Sequence, residues 1–372
     1  MKAAAFVLSA IFVAGAAAPA RAQFGGALGK IKKGADTAAS AKKQYDDWNV
    51  TDAEERQLGE QVSTKLRLRF GVTQDPSLTK YVTLVGTVVA QGSSRPGLDW
   101  RFIVLDTDGV NAYAAPGGFI HITRGLLGLM KNEAELAGVL GHEITHVTKK
   151  HTVEAIKRGK EIDMGANAAG KGGMTKDMIA KLADKSFQKL FDGAYSRADE
   201  SEADAIGIQI ASKAGYAANG LATALQKVAD RNANQSEPNG FFVSHPVIKD
   251  RIAAINKEIG ADKLAGKALV AARYKQDVTF DAKPLSEIPT VDAGASGLAS
   301  GEKKKTDARD DSKKKGGTTE SGGKQQASAQ QTASAGARGG VPDRDAKGGS
   351  NPAPVLVKLT PAEITAFKKD IV

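Results

Sequence analysis

The sequence contains no cysteine among its 372 residues. The chain therefore has no disulfide bond, no thiolate metal ligand and no cysteine nucleophile. It also has no cysteine that could be acylated at a processed N-terminus. These absences favour a soluble mature protein over a lipid-anchored one.

Long apolar runs are also scarce. The one clear run, from Ala3 to Ala18, is shorter than the about 20 residues that a membrane-spanning helix needs. Because Lys2 precedes it and the small-x-small ending Ala20-Arg21-Ala22 follows it, it predicts a signal peptide over residues 1–22. An uncleaved anchor is the less favoured alternative. We expect an exported bacterial protein, most simply a periplasmic one, with residues 23–49 as a linker.

Aliphatic and aromatic residues are nearly absent from a second part of the chain, residues 285–352, where Gly, Ser, Ala, Gln and Lys dominate. Such a segment cannot bury enough apolar surface to offset its ordering entropy, so a disordered linker is predicted. Part of the net charge of +10 lies here. It predicts loose contact with anionic membrane surfaces, and no specific nucleic-acid binding.

A short ordered element is predicted after this linker, over residues 353–372. Val355–Val357 has the composition of a strand. Thr360, followed by proline and then by Glu363, predicts a capped helix start. The sequence does not decide whether this element packs on the body of the protein or on a partner.

The remaining residues, 50–284, are long enough for one well-buried core and predict a mainly helical α+β domain. Helix starts are indicated by a capping box at Thr51 and by Asp75-Pro76. Between the helices lie three short strand-like runs that predict a small sheet, with Pro116-Gly117-Gly118 as the last turn. These runs are Arg101–Leu105, Val110–Ala114 and Phe119–Thr123.

The most informative motif lies in a helical pattern and places His142 and His146 four residues apart. On a helix both imidazoles lie on one face and can bind one zinc ion. Glu143, beside the first histidine, would act as the general base that takes a proton from the attacking water. The alternative is that these are two surface histidines with no bound metal, because the five-residue pattern alone is only moderately specific.

The helix with this motif is predicted to begin at the cap Asn132 and to end by Gly159. His151 lies nine residues after His142 and so faces about half a turn away from it, which predicts a structural or exposed residue. The helix glycines Gly138 and Gly141 predict a close neighbour, either a strand or the substrate backbone. A glycine-rich loop, residues 165–173, is a candidate mobile lid.

A second candidate helix carries several carboxylates. Glu200 and Asp204 are four residues apart and share a face, so one could bind the metal while the other supports a ligand histidine. Glu202 points to the opposite side. Spacing alone does not choose among these carboxylates, because acidic residues also favour helix N-termini for electrostatic reasons.

Together these motifs resemble the M48 family of zinc metallopeptidases, in particular its soluble periplasmic branch. The similarity covers about residues 51–260 and is carried by Asn111-Ala-Tyr-Ala, Gly125-Leu126, Asn132–Ala137, His142–His146 and Glu200-x-x-Ala203-Asp204. The resemblance implies a gluzincin fold, zincin-like, with a small sheet beside the active-site helix. It also implies one Zn²⁺ per chain, held by His142, His146 and Glu200. Glu143 is then the general base and Asp204 a supporting carboxylate.

Two further residues have counterparts in the family pattern, which carries a His-Pro followed by an arginine near its site. His245 is a candidate fourth ligand that closes the resting site, and Arg251 a candidate cation for the oxyanion. A different histidine, His121, alternates with Ile120 and Ile122 on a strand and is expected to be exposed or to face the cleft.

The strand segment formed by Asn111, Ala112, Tyr113 and Ala114 is a candidate substrate-binding edge. An exposed strand edge binds an extended chain through backbone hydrogen bonds and therefore selects shape rather than sequence. Unfolded polypeptides are the expected substrates, and the resemblance implies a role in envelope protein quality control. The alternatives are a chaperone-like binding factor with latent or gated activity, and an adaptor that recruits a partner through its basic tail.

Overall fold

The fold was obtained as a computed structural model, and all described residues belong to one structural unit that begins at Val50. The predicted signal peptide, the N-terminal linker and the loop 165–173 lie outside these residues. The structure describes residues 50–159, 174–192, 195–234, 245, 248–288, 290–292, 330–332 and 351–371.

Helices make up most of this part of the chain. The helices before the one that carries Glu200 are α1 (Asp52–Phe70), α2 (Pro76–Ala90), α3 (Arg124–Leu129), α4 (Glu133–Thr148), α5 (His151–Gly159) and α6 (Lys176–Asp192). Those that follow are α7 (Arg197–Lys213), α8 (Gly220–Arg231), α9 (Ile248–Ala261), α10 (Ala271–Asp277) and α11 (Pro361–Lys368).

A three-stranded sheet lies among the first helices. Its strands are β1 (Arg101–Leu105), β2 (Ala112–Ala115) and β3 (Phe119–Thr123). β3 is central, parallel to β1 and antiparallel to β2. The turn between β2 and β3 is a short 3₁₀ helix in which Gly117 has a φ of 71°, a conformation that favours glycine. The predicted α+β fold with a small sheet beside the motif helix is confirmed.

Both faces of the sheet are covered by helices, which corrects the expectation for His121. Ile120 and Ile122 face the main core, and His121 faces the other way, as the strand period predicts. That second face is covered by α1, so His121 is fully buried and its Nε2 lies 2.9 Å from Ser63 Oγ. The prediction of an exposed or cleft-facing His121 is therefore wrong.

The motif helix is shorter than predicted. Asn132 caps α4 through a 3.0 Å hydrogen bond from the Glu135 amide, but the helix ends at Thr148 rather than near Gly159. Lys150 adopts a left-handed conformation with a φ of 56°. This residue turns the chain before α5 begins, so the expected continuous helix is wrong.

The two helix glycines of α4 contact other helices, not a strand or the substrate. A Cβ atom on Gly141 would lie 2.6 Å from the carbonyl oxygen of Gly207 on α7. A Cβ atom on Gly138 would lie 2.4 Å from the backbone nitrogen of Leu221 on α8. The predicted close neighbour exists, and it is the backbone of α7 and α8.

The C-terminal residues pack on the body of the protein. The Asn351 carbonyl accepts a 2.7 Å hydrogen bond from the Val72 amide. Phe367 and Ile371 join the core, and the Arg273 guanidinium lies 3.7 Å from the centre of the Phe367 ring. Thr360 caps α11 with a capping box, as predicted.

The strand predicted at Val355–Val357 is absent, because residues 351–360 form no regular structure. Pro352 and Pro354 lack the amide hydrogen that a sheet ladder requires. Within the predicted linker, β4 (Thr290–Asp292) pairs antiparallel with β5 (Gln330–Thr332). None of the helices in the described ranges is long and apolar enough to cross a membrane.

The contact between α4 and α7 generates a stability prediction for Gly207→Ala. The added methyl group would lie 2.8 Å from the His142 amide nitrogen, and backbone atoms cannot move aside as a flexible side chain can. We expect the free energy of unfolding to fall by about 2 kcal/mol, a typical cost of overpacking. Urea denaturation measures this change.

Gly260→Ala is the matched control, because Gly260 is also a helix residue but has no atom within 4 Å of its Cβ position. Alanine there should raise the free energy of unfolding by up to about 1 kcal/mol through helix propensity. Equal effects of the two substitutions would contradict the close-contact argument.

A pH prediction follows from the burial of His121. Burial lowers its pKa from 6.5 to about 3, so the folded protein keeps this imidazole neutral where the unfolded chain protonates it. Stability from this group is complete above pH 6.5 and is lost as the pH falls toward 3. The expected slope is about 1.4 kcal/mol per pH unit.

The measurement compares the free energy of unfolding of the wild type and of His121→Gln between pH 6.5 and 4. The difference between the two proteins should change with that slope, because the remaining titrating groups are shared. Ser63→Ala serves as the control, since it removes the hydrogen-bond partner and keeps the titrating imidazole. Parallel pH profiles for wild type and His121→Gln would show that His121 does not titrate differently on folding.

Candidate active site

The helices α4 and α7 bring the two sequence motifs together in the interior. His142 and His146 on α4 are buried, and their Nε2 atoms lie 3.0 Å apart. Glu200 on α7 points at both rings, with Oε1 3.4 Å from His146 Nε2 and Oε2 3.7 Å from His142 Nε2. Glu202 does not join this cluster. The structure therefore distinguishes Glu200 from Glu202 as the candidate ligand, a choice that spacing left open.

His245 completes the group from between α8 and α9. Its Nδ1 lies 3.2 Å from His142 Nε2 and 2.9 Å from Glu200 Oε1. One ligand atom from each of His142, His146, Glu200 and His245 lies within 4.8 Å of the others, and all four residues are buried. The sequence placed His245 near the site, and the geometry puts it at the same point as the other three.

The spacing of these donor atoms fits a tetrahedral metal ion. Zinc bonds of about 2.0 to 2.1 Å place tetrahedral ligand atoms about 3.4 Å apart. The contacts named above between donor atoms run from 2.9 to 3.7 Å, and no two of the four donor atoms are more than 4.8 Å apart. The donor set of imidazole nitrogens and one carboxylate is one that zinc accepts. Within the described residues, both carboxylate oxygens of the adjacent Glu143 are buried without a hydrogen-bond partner. The cluster therefore has the chemistry of a metal site.

A buried ion-pair network supports the cluster from behind. Asp204 Oδ1 lies 3.0 Å from His142 Nδ1, the ring nitrogen that faces away from the cluster. Arg251 donates to both oxygens of Asp204, at 2.6 and 2.8 Å, and its Nη1 lies 2.6 Å from Glu200 Oε2. The structure thus places Arg251 in contact with two carboxylates, where it balances their charge.

Burial and these contacts set the protonation of the site. Burial raises the pKa of Glu143, against the nearby positive groups, so this carboxylate holds a proton more readily than an exposed one. Burial lowers the pKa of His146 and keeps its imidazole neutral, which is the metal-binding form. Burial opposes ionisation of Asp204, but the hydrogen bonds from Arg251 outweigh it and hold its pKa below the usual range.

The predicted substrate strand lies next to the metal-motif helix. Ala112–Ala115 form the edge strand β2, which pairs with β3 on one side. Asn111 precedes it and donates its amide to Thr123 Oγ1. Ala114 lines a small depression together with His146 and Thr152. The edge strand is therefore adjacent to one of the clustered histidines. Asn111 and all residues of β2 are buried, however, so the prediction of an exposed strand edge is wrong.

Sequence reasoning missed the role of His151. It is buried, and its Nδ1 lies 2.8 Å from His146 Nδ1, because the break at Lys150 returns it to the site. A signal was present in the apolar pattern, which loses its helical phase between Val147 and Val153. A continuous helix would have kept that phase.

Tyr195 is a second missed residue. Its ring stacks on His146, with centroids 4.0 Å apart and an interplanar angle of 21°. Its hydroxyl lies 2.8 Å from Thr152 Oγ1, which fixes the ring against the histidine. No motif marks this contact, since it joins a residue two positions before α7 to α5.

Comparison with known proteins agrees with the site. The profile of peptidase family M48 matches residues 76–259. The beta-barrel assembly-enhancing protease of Escherichia coli (strain K12) is 26% identical over 210 residues, which are 54% of this chain and 42% of that protein. Metalloprotease LoiP of the same strain is 26% identical over 230 residues, which are 60% of this chain and 88% of LoiP. Metalloprotease YcaL is 29% identical over 178 residues, 47% of this chain and 68% of YcaL.

The similarity to the first of these proteins is confined to part of it, because this chain spans less than half of its length. The matched part of this chain includes α4, α7, His245 and most of α9, and therefore all four clustered residues together with Asp204 and Arg251. We conclude that residues 76–259 of the chain belong to peptidase family M48.

Proposed function

We propose that the protein is a zinc-dependent endopeptidase that hydrolyses peptide bonds in unfolded polypeptides. The observation that carries this proposal is the convergence of His142, His146 and Glu200 beside the buried carboxylate of Glu143. Three such ligands are typical of hydrolytic zinc sites, and a structural site has no need of the adjacent carboxylate. The names of the relatives, which are all proteases, support the same class.

The residues divide the chemistry among them. A zinc ion bound here supplies a Lewis acid that polarises a peptide carbonyl and makes water acidic enough to react near neutral pH. Glu143 takes a proton from the attacking water and passes it to the leaving amine. Asp204 orients His142 through Nδ1, and Arg251 neutralises the carboxylate pair rather than an oxyanion.

The edge strand β2 is the proposed substrate-binding element. Because every residue of β2 is buried, a peptide in extended conformation can add to its outer edge through backbone hydrogen bonds, with the scissile bond next to α4, only after the residues that cover the strand move apart. A folded domain cannot offer such a strand, so we propose unfolded or misfolded chains as substrates. The name of the similar beta-barrel assembly-enhancing protease and the signal-like N-terminus support a role in envelope quality control.

We also propose a periplasmic location, which rests on the signal-like apolar run and the small-x-small ending at Ala22. N-terminal sequencing of the protein recovered from its host tests this, because a mature chain should begin at Gln23. A chain that retains Met1 would contradict the cleaved signal peptide.

The position of His245 suggests a latent enzyme. With His245 as a fourth donor the ligand set is complete, and a complete set leaves no position for water or substrate. This observation supports the gated activity that belongs to the alternative hypothesis, a chaperone-like binding factor on a metallopeptidase scaffold. The adaptor alternative is weakened, because Phe367 and Ile371 belong to the core of the enzyme and not to a free tail.

The first test is Glu143→Gln in the purified mature protein. We expect the variant to retain one zinc per chain and to lose cleavage by a factor of about 10²–10⁴, since only the proton-transfer group is changed. Zinc content is measured by atomic absorption and cleavage by fluorescence of a labelled, reduced and alkylated protein.

The folded, disulfide-intact form of the same labelled protein is the matched substrate control. It should be cleaved far more slowly than the unfolded form. Equal rates on the two forms would refute the preference for unfolded chains. Full activity of Glu143→Gln would refute the assigned general base, and zinc-loaded wild type without cleavage would favour the chaperone-like alternative.

A second test is His245→Ala. Removing the fourth donor should weaken zinc binding and, because it opens a ligand position, increase the rate of cleavage of the unfolded substrate. Zinc affinity is measured by competition with a fluorescent chelator, in parallel with turnover. If both quantities equal those of the wild type, His245 does not close the site.

A further inference from the structure

His151 connects the metal-site cluster to a carboxylate nearer the surface through two hydrogen bonds, of which the first is buried and the second partly buried. Its Nδ1 lies 2.8 Å from Nδ1 of His146, and its Nε2 lies 3.1 Å from Oε2 of Glu202. Asp199 Oδ1 is a more distant neighbour of the same Nε2, at 3.9 Å. Both imidazoles are buried, with 1% and 3% of their surface exposed.

Only one arrangement of hydrogens satisfies this chain. Nε2 of His146 faces the ligand cluster and must present its lone pair there, so its hydrogen is on Nδ1. Nδ1 of His151 then accepts, and its own hydrogen is on Nε2, which donates to Glu202. The other tautomer of His151 would place two N–H groups 2.8 Å apart and a lone pair against a carboxylate.

We propose that His151 is a positioning residue for the metal ligand His146, and that Glu202 is the carboxylate that fixes the tautomer of both rings. The inference rests on the proposed metal site. His142 is supported directly by Asp204 at 3.0 Å, whereas His146 is supported through an intervening imidazole. One histidine ligand thus contacts its supporting carboxylate directly, and the other contacts it through His151.

The two supports also differ in their exposure to solvent. The side chain of Asp204 is 6% exposed and paired with Arg251. The side chain of Glu202 is 42% exposed and pairs with Lys149 at 2.6 Å. Solvent screens an exposed carboxylate more strongly, so the His146 side of the site is held less tightly than the His142 side.

The helix break makes this arrangement possible. Lys149 and Lys150 end α4, and the left-handed φ of Lys150 directs the first residue of α5 back toward His146. Thr152, the next residue, holds the hydroxyl of Tyr195, whose ring covers the face of His146. The start of α5 therefore constrains His146 both at its ring edge and on its ring face.

The test measures zinc affinity by competition with a fluorescent chelator, without reference to peptide cleavage. His151→Leu removes the acceptor and should weaken zinc binding by roughly 10- to 100-fold, a typical effect of losing an outer-shell partner. His151→Asn places an amide oxygen near the position of Nδ1 and should recover most of the affinity. Glu202→Gln keeps the shape, removes the charge and should give a smaller loss.

Glu154→Gln is the matched control, because Glu154 is a partly exposed carboxylate on α5 that pairs with Lys157 and does not contact the cluster. It should bind zinc like the wild type. Thermal unfolding of each variant with chelator present shows whether the fold is intact, and Glu202→Gln at the partly exposed end of the chain tests the inference if His151→Leu does not fold.

Three outcomes would overturn the inference. His151→Leu could bind zinc as tightly as the wild type, His151→Asn could be no better than His151→Leu, or Glu202→Gln could match Glu154→Gln. Failure of the proposed function is separate, since a wild type that binds zinc without cleaving leaves the affinity series interpretable. A wild type that binds no zinc would remove the metal site and this inference together.

Discussion

The backbone contact between α4 and α7 is the constraint on which the site depends. Gly141 and Gly207 face each other so closely that neither position has room for a methyl group. His142 directly follows the first glycine, and Glu200 lies seven residues, or two turns, before the second. The distance between the histidine and carboxylate ligands is therefore set by two missing side chains. Close packing of this kind converts a backbone spacing into a ligand geometry.

Burying so many ionisable groups has a free-energy cost that the site must offset. Each charge removed from water costs several kcal/mol unless it is paired, and Glu200, Asp204 and Arg251 are all buried. Arg251 contacts both carboxylates, and Asp204 in turn orients His142. Among the described residues Glu143 alone of this group has no hydrogen-bond partner on its carboxylate. The network thus stabilises the ligands and leaves Glu143 without a hydrogen bond, with His245 Nε2 3.6 Å from its Oε1.

Under the proposed function, catalysis and closure involve the same cluster. The edge strand β2 lies beside His146, and His245 lies at the same point as His142, His146 and Glu200. If all four bind the metal, the proposed enzyme displaces one of its own side chains before it acts. Such closure suits the proposed action on unfolded chains, because an enzyme of broad sequence tolerance needs restraint from some source other than sequence recognition.

The sequence by itself determined the features that depend on neighbours a few residues apart. The helix period places His142 and His146 on one face. The cap at Asn132 and the turn at Gly117 follow from the chemistry of those residue types. The family resemblance singled out Glu200. Local periods state which way a side chain points but not what covers it. His121 points away from the main core, as the strand period predicts. It is buried only because α1 covers that face of the sheet.

Tertiary structure decided the rest of the site. His151 reaches His146 because one left-handed residue interrupts the helix, and His245 reaches His142 across 103 residues of chain. The C-terminal residues Phe367 and Ile371 belong to the core, although the sequence of their own segment does not predict where it packs. These contacts arise from packing between elements that are distant in the sequence. Local patterns do not predict them, because their stability depends on both partners.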